Sequence, residues 1–208
     1  MTKIKICGIT NLEDALFAAS LGVDALGFVF AKSKRRITAV DASQIIDELP
    51  QSVLKIGVFV NEEEQRVREI LQVCRLNMIQ FHGDESPEYI LKFREEVIKS
   101  FRIENENSLK DIPKYKAIAY LLDTYSKESY GGTGETFNWD LAVKAKKFGP
   151  IILAGGLTPD NVVEAIKKVQ PYGVDVSSGV ESYPGKKDPQ KLEEFVKRVR
   201  GISNTDMT

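Results

Sequence analysis

Cys7 and Asp123 are the two side chains of this sequence best placed to move protons, because each closes a segment of strand length, alternating Lys and Ile before Cys7 and apolar before Asp123, just before the chain must turn. Cys7 follows Lys3-Ile4-Lys5-Ile6 and is followed by Gly8, which lets the backbone turn. Asp123 follows Ala117-Ile118-Ala119-Tyr120-Leu121-Leu122. A thiolate on one side of a bound substrate and a carboxylic acid on the other form a general base and acid pair. The thiol starts from a pKa of ~8.5, so a base near neutrality needs a site that stabilises the thiolate, whereas an acidic Asp123 needs burial or a like charge. Each residue also has a plainer use: a free Cys commonly packs as a small hydrophobe, and an Asp before a loop commonly caps or turns the chain.

Further candidates sit at the ends of other apolar runs. Gly155 and Gly156 follow one such run, and Ser177, Ser178 and Gly179 follow another. Exposed backbone N–H groups at such turns attract an anion and glycine lets it come close, so the two sets together point to a bound phosphate. Arg35, in the basic turn Lys32 to Arg36, can pair with a substrate carboxylate through a bidentate fork. His82 and Asp175 also fall at strand ends and are expected to line the substrate. Lys186-Lys187 reads as solvated surface. His82 is the only histidine, and the two cysteines, Cys7 and Cys74, have no CxxC spacing, so no metal site and no disulfide framework is expected.

Positioning these residues requires a repeating strand-then-helix chain. After the first strand, Thr10 to Glu13 has capping-box spacing for a helix. Strands follow at Asp24–Phe30, Leu54–Val60, Met78–Phe81, Val97–Phe101, Ala117–Leu122, Pro150–Ala154 and Gly173–Val176. Between them, Thr38 caps a helix to about Leu49, Asn61 begins one to about Cys74, and Ser86-Pro87 opens another. One short helix is expected between Glu104 and Pro113, one runs from Trp139 to Phe148, Thr158-Pro159 caps the next, and Asp188-Pro189 opens the last. A long polar loop from Tyr125 to Phe137 has the character of a lid.

Eight such units without a linker predict an α/β fold, a (β/α)8 TIM barrel forming a single domain over residues 1–208, with a disordered tail from about residue 201. A doubly wound open sheet fits less well, since no GxGxxG follows the first strand. Apolar residues make up 42% of the chain and charged residues 28%, and the formal net charge is −1. That balance gives no electrostatic reason to expect nucleic acid or an anionic membrane as partner. No apolar run approaches the ~20 residues of a bilayer span, and a cytoplasmic location is expected.

Taken in order, Lys5-Ile6-Cys7-Gly8-Ile9-Thr10, Gly27 to Phe30 with Ser33 to Arg35, Gly57 to Val60, Gln80-Phe81-His82-Gly83, Leu122-Asp123, Gly131 to Gly134, Ala154 to Leu157 and Val174 to Glu181 resemble the phosphoribosylanthranilate isomerase family of tryptophan biosynthesis. The resemblance runs from Lys3 to about Arg200 and departs at Phe81, where the family commonly has Leu. It implies a (β/α)8 barrel, no cofactor, and an Amadori rearrangement of N-(5-phosphoribosyl)anthranilate to 1-(2-carboxyphenylamino)-1-deoxyribulose 5-phosphate. It also implies that Cys7 is the general base, Asp123 the general acid and Arg35 a substrate-binding arginine. The expected partner is a small phosphorylated molecule, and the chain a monomer or homodimer. Two rival readings are another cofactor-free barrel enzyme acting on a sugar phosphate and a phosphometabolite-binding barrel without catalysis. A thiol redox sensor is a third, weakened because Cys74 falls at the far end of a helix.

Overall fold

Successive residues of the first strand, β1 (Lys3–Cys7), face opposite ways, and the whole architecture follows from where those two faces go. The computed structural model describes residues 1–124 and 136–202. In it β1 is joined by β2 (Ala25–Val29), β3 (Leu54–Phe59), β4 (Met78–Phe81), β5 (Glu96–Ile103), β6 (Ala119–Thr124), β7 (Ile151–Leu153) and β8 (Gly173–Val176). These eight strands pair in parallel and in chain order, and β8 closes on β1 to complete a barrel. The expected (β/α)8 barrel is therefore the fold.

One face of each strand meets the helices. Ile4, Ile6, Leu26, Phe28, Phe59, Phe81 and Ile79 belong to the large core between the sheet and α1 (Leu12–Ser20), α2 (Ala39–Asp47), α3 (Glu64–Cys74), α4 (Pro87–Ile90), α5 (Trp139–Ala145), α6 (Val162–Val169) and α7 (Pro189–Arg200). The other face fills the barrel with Ala25, Ile56, Ile98, Ala119, Leu121, Ile152 and Ala154. Burial on both sides is why β2, β6 and β7 read as nearly continuous apolar runs rather than alternating ones.

Several local expectations are corrected. Asn11, not Thr10, caps α1 by accepting from Asp14 N, while the Thr10 hydroxyl donates to the Gly185 carbonyl. Asn61 adopts a left-handed conformation (φ 49°) before α3 and accepts from Asp84 N, so that helix starts only at Glu64. Thr158-Pro159 forms a turn braced by Asn161, and α6 begins at Val162. Instead of one helix, Glu106–Leu109 and Ile112–Lys114 form two 3-10 turns, because Asn105 and Ser108 cap each other's backbone across a single turn and Pro113 follows at once. Thr38, Ser86 and Asp188 cap α2, α4 and α7 as expected. The proposed lid falls largely on residues 125–135, which lie outside the described residues, as does the tail beyond residue 202.

The largest departure is in the chain after β8. β9 (Glu181–Tyr183) and β10 (Lys186–Lys187) form a small antiparallel hairpin over the barrel end. Lys187 is buried rather than solvated, with only 2% exposure, and Lys186 pairs with Glu13 and Asp14. Two adjacent lysines carry no sequence mark of a hairpin that turns one of them inward, and carboxylates supplied from distant segments decide which is buried.

A buried ion pair fixes the loops after β3 and β4. Glu85 accepts from Lys99 Nζ at 3.1 Å, from Asn61 N at 2.8 Å and from Gly83 N at 3.0 Å. Lys99 Nζ also donates to the Gly83 carbonyl at 2.7 Å. Removing one partner of a buried pair strands the other charge, at about 3–5 kcal/mol. Glu85→Ala is thus expected to cost that amount in urea unfolding, and the double variant Glu85→Gln/Lys99→Met to recover most of it. A Glu85→Ala protein as stable as the parent would contradict this account.

Candidate active site

Strand alternation decides which residues reach the barrel mouth. Cys7 lies two residues beyond Lys5 on the inward face of β1, and Asp123 two beyond the inward Leu121 of β6. Gln80 and His82 continue the inward face of β4 beyond Met78, and Asp175 is inward on β8, in register with Lys5. In a barrel all strand C-termini open on one face, so residues far apart in sequence meet there.

On the Asp123 side, His82 Nε2 stands 3.2 Å from Asp123 Oδ2, without the alignment of a good hydrogen bond. Gln80 Nε2 lies 2.9 Å from His82 Nδ1. With the Gln80 amide donating to Nδ1, the neutral ring carries its proton on Nε2, turned toward Asp123. Asp123 Oδ1 accepts from Thr124 N at 2.8 Å. Gly155, in the left-handed region at φ +79°, lies against this carboxylate: a β-carbon there would stand 2.9 Å from Asp123 Oδ1 and 2.3 Å from Thr124 Oγ1. His82 and Asp123 are thereby brought together, and Gly155 is required by space as well as by backbone angle.

On the Cys7 side the site is a cluster of charges. Lys5 Nζ donates to Asp175 Oδ1 at 2.9 Å, and both side chains are under a tenth exposed. Burial alone would lower Lys5, but Asp175 and Cys7 beside it more than offset that, and the ammonium pKa lies above its usual value. Burial pushes the Cys7 thiol up, and the Lys5 ammonium pulls against it. Lys187 Nζ donates to the Cys7 carbonyl at 2.6 Å, to the Ser177 carbonyl at 3.2 Å and to Glu181 at 3.0 Å. The Ser177 hydroxyl also donates to the Cys7 carbonyl, at 3.1 Å.

Arg35 is not part of a free solvated turn. Its Nε and Nη2 donate to both carboxylate oxygens of Glu181, at 2.8 and 2.7 Å for the shorter pair. Its chain crosses Gly8, where a β-carbon would stand 2.5 Å from Arg35 Cδ. Among the described residues Nη1 has no hydrogen-bond partner, so one edge of the guanidinium is left for a ligand. Despite burial, Arg35 and Lys187 hold the Glu181 carboxyl below the usual carboxylate range. Glu181, Lys187 and Lys5 were not singled out from the sequence. The alternation of Lys and Ile in β1, which puts Lys5 on the same face as Cys7, is the signal that would have marked Lys5.

Gly155 and Gly156, both in the left-handed region, begin the loop after β7, and Ser177, Ser178 and Gly179 the one after β8. These loops interlock: a β-carbon on Gly179 would stand 1.8 Å from the Leu157 carbonyl oxygen. Only glycine lets the two backbones approach so closely. Among the described residues no group of three or more His, Cys, Asp or Glu side chains is placed to hold a metal, and no helix is long and apolar enough to cross a membrane.

This architecture matches known proteins over its whole length. The family model for N-(5'-phosphoribosyl)anthranilate (PRA) isomerase matches residues 4–198. The N-(5'-phosphoribosyl)anthranilate isomerase of Geotalea uraniireducens is 57% identical over 203 residues, covering 97% of this chain and all of the relative. The crystal structure of phosphoribosyl anthranilate isomerase from Thermotoga maritima superposes with a TM-score of 0.92 at 45% identity, over 97% of this chain and all of that one. A crystal structure of a phosphoribosyl anthranilate isomerase in complex with reduced 1-(o-carboxyphenylamino)-1-deoxyribulose 5-phosphate gives a TM-score of 0.88 at 43% identity with the same coverage. The Thermotoga maritima enzyme is described as dimeric in a crystal structure of monomers generated from it, again 43% identical. A barrel mouth that gathers a thiol, a carboxylate, an arginine and two interlocked glycine loops, together with these matches along nearly every residue, places this chain in the N-(5'-phosphoribosyl)anthranilate isomerase family.

Proposed function

We propose that this chain carries out the isomerisation for which its family is named, an Amadori rearrangement of the aldose-ketose type in tryptophan biosynthesis, with Cys7 as general base and Asp123 as general acid. The observation that carries this reading is the placement of both residues as the last inward-facing side chains of β1 and β6, three strands apart around one barrel mouth. Asp123 delivers a proton to the ribose ring oxygen, so the ring opens to a Schiff base. Cys7 as thiolate then removes the C2 proton, and the resulting enolamine tautomerises to the ketone. The two proton transfers proceed by acid and base catalysis from fixed side chains.

Binding is divided among the remaining residues. Arg35, held on its Nε and Nη2 edge by Glu181, presents Nη1 to the anthranilate carboxylate. The phosphate takes the backbone N–H groups of the loops bearing Gly155, Gly156, Ser177, Ser178 and Gly179. His82 lines the pocket beside Asp123, and Asp175, with Oδ1 taken by Lys5, contributes to its floor. The chain works in the cytoplasm as a monomer or homodimer on this small phosphorylated substrate.

Anthranilate-type fluorescence after addition of phosphoribosylanthranilate tests the reading. Cys7→Ser and Asp123→Asn should each lower kcat by roughly 100- to 10,000-fold with the fold intact. A folded wild type that does not accelerate the reaction beyond its spontaneous rate sinks the proposal. Gly179→Ala should raise KM for substrate and cost about 1–3 kcal/mol in thermal unfolding, because the new methyl must push the Leu157 carbonyl away. An unchanged KM in that variant would remove the phosphate from these loops.

The Glu181 clamp carries a pH signature. A carboxyl whose folded pKa is depressed stabilises the fold fully above its unfolded value of ~4.3, and that stability is lost as pH falls through the lower folded value. Glu181→Gln should therefore flatten the acid limb of the stability curve in that window, and an acid limb identical to the parent's would show that the clamp contributes nothing.

A further inference from the structure

Lys5 takes no part in the reaction set out above, yet it is buried on the inward face of β1, two residues below Cys7. The two side chains lean over the same bare backbone. Gly27, paired in register with Cys7 on β2, has a β-carbon position 2.8 Å from Cys7 Sγ and 3.0 Å from Lys5 Nζ. A side chain at residue 27 would therefore fill the space in which thiol and ammonium approach each other. The register pairing of Lys5 with Asp175 fixes the ammonium from the other side, through the 2.9 Å bond to Oδ1.

The charges around Cys7 do not balance without it. Facing it are Lys5 from β1, Asp175 from β8, Lys187 from β10 and Arg35 from the loop after β2, while β2 itself offers only Gly27. Lys187 and Arg35 share the single carboxylate Glu181. Three cations thus stand against two carboxylates around a buried thiol. Uncompensated buried charge is costly, and one further anion completes the set.

We propose that Lys5 is a positioning residue for the isomerase reaction, its ammonium anchored by Asp175 so that it serves as counter-ion to the Cys7 thiolate. The proposal rests on the reading of Cys7 as general base. A merely structural role for the Lys5–Asp175 pair predicts a loss of stability on substitution but no change in how Cys7 ionises.

The titration of Cys7 separates the two. The pH dependence of thiolate ultraviolet absorbance is measured for the full chain, and the same curve from Cys7→Ser is subtracted to remove the tyrosines and Cys74. Lys5→Met, nearly isosteric and neutral, is compared with Lys5→Met/Asp175→Asn, which removes the pair without stranding a carboxylate beside the thiol. Lys5→Met should move the Cys7 midpoint upward by about one pH unit, a roughly tenfold smaller thiolate fraction at any pH below it, and the double variant should move it upward by less, because the Asp175 carboxylate that also disfavours the thiolate is gone. A double variant that titrates like the wild type overturns the proposal, whatever the single variant does or whether it folds. Parallel kcat/KM measurements keep the two readings apart: a shifted midpoint with kcat/KM unchanged leaves Lys5 as the thiolate's counter-ion and instead removes Cys7 from the role of base.

Discussion

Closing a parallel barrel brings β8 beside β1, and the structure depends on what that seam must accommodate. The two strands do not meet through apolar side chains alone. Their inward faces carry Lys5 and Asp175 in register, and just above them Lys187, Glu181 and Arg35 converge on the end of β1. Ionised groups in such a setting persist only when each finds a partner, because desolvation outweighs any single attraction. The seam is therefore a set of mutual constraints, in which displacing one member exposes a buried charge on another.

Those constraints reach outward into the loops. Lys187 can bond the Cys7 and Ser177 carbonyls only because β9 and β10 fold back over the barrel end. Arg35 is drawn across Gly8 to the same Glu181 carboxylate. Chain segments from residues 5 to 8, 35, 175 to 177 and 181 to 187 thus form one unit around the thiol. Across the mouth a second unit, built on Asp123, His82 and Gly155, packs a carboxylate against an imidazole and a glycine backbone. The mouth thus has a cation-rich wall on one side and a wall carrying Asp123 and His82 on the other.

Glycines set how closely these walls approach. Gly27 leaves room for the Cys7 sulfur and the Lys5 ammonium, Gly155 for Asp123 and Thr124, and Gly179 for the Leu157 carbonyl. At Gly155 a left-handed backbone adds a second reason for the residue. At Gly27 and Gly179 the reason is space alone, which shows that glycines near a site are not all there to bend the chain.

The sequence by itself determined the barrel, the strands and which side chains stand at the strand ends, since apolar runs of strand length and capping residues such as Thr38, Ser86 and Asp188 act locally and leave a local pattern. It was less informative where a residue's role is set by something distant. Asn61, Thr10 and Thr158 look like helix caps, but each is engaged by a neighbouring loop or turn instead. Lys186 and Lys187 read as one solvated pair, and only the tertiary structure turned Lys187 inward, because Glu181 and the Cys7 carbonyl await it there. The pairing of Lys5 with Asp175 and of Arg35 with Glu181 was likewise decided by barrel closure, which sets partners 170 and 146 residues apart side by side. Local pattern encodes which face a side chain takes, whereas the energy of a buried charge depends on partners that no local pattern records.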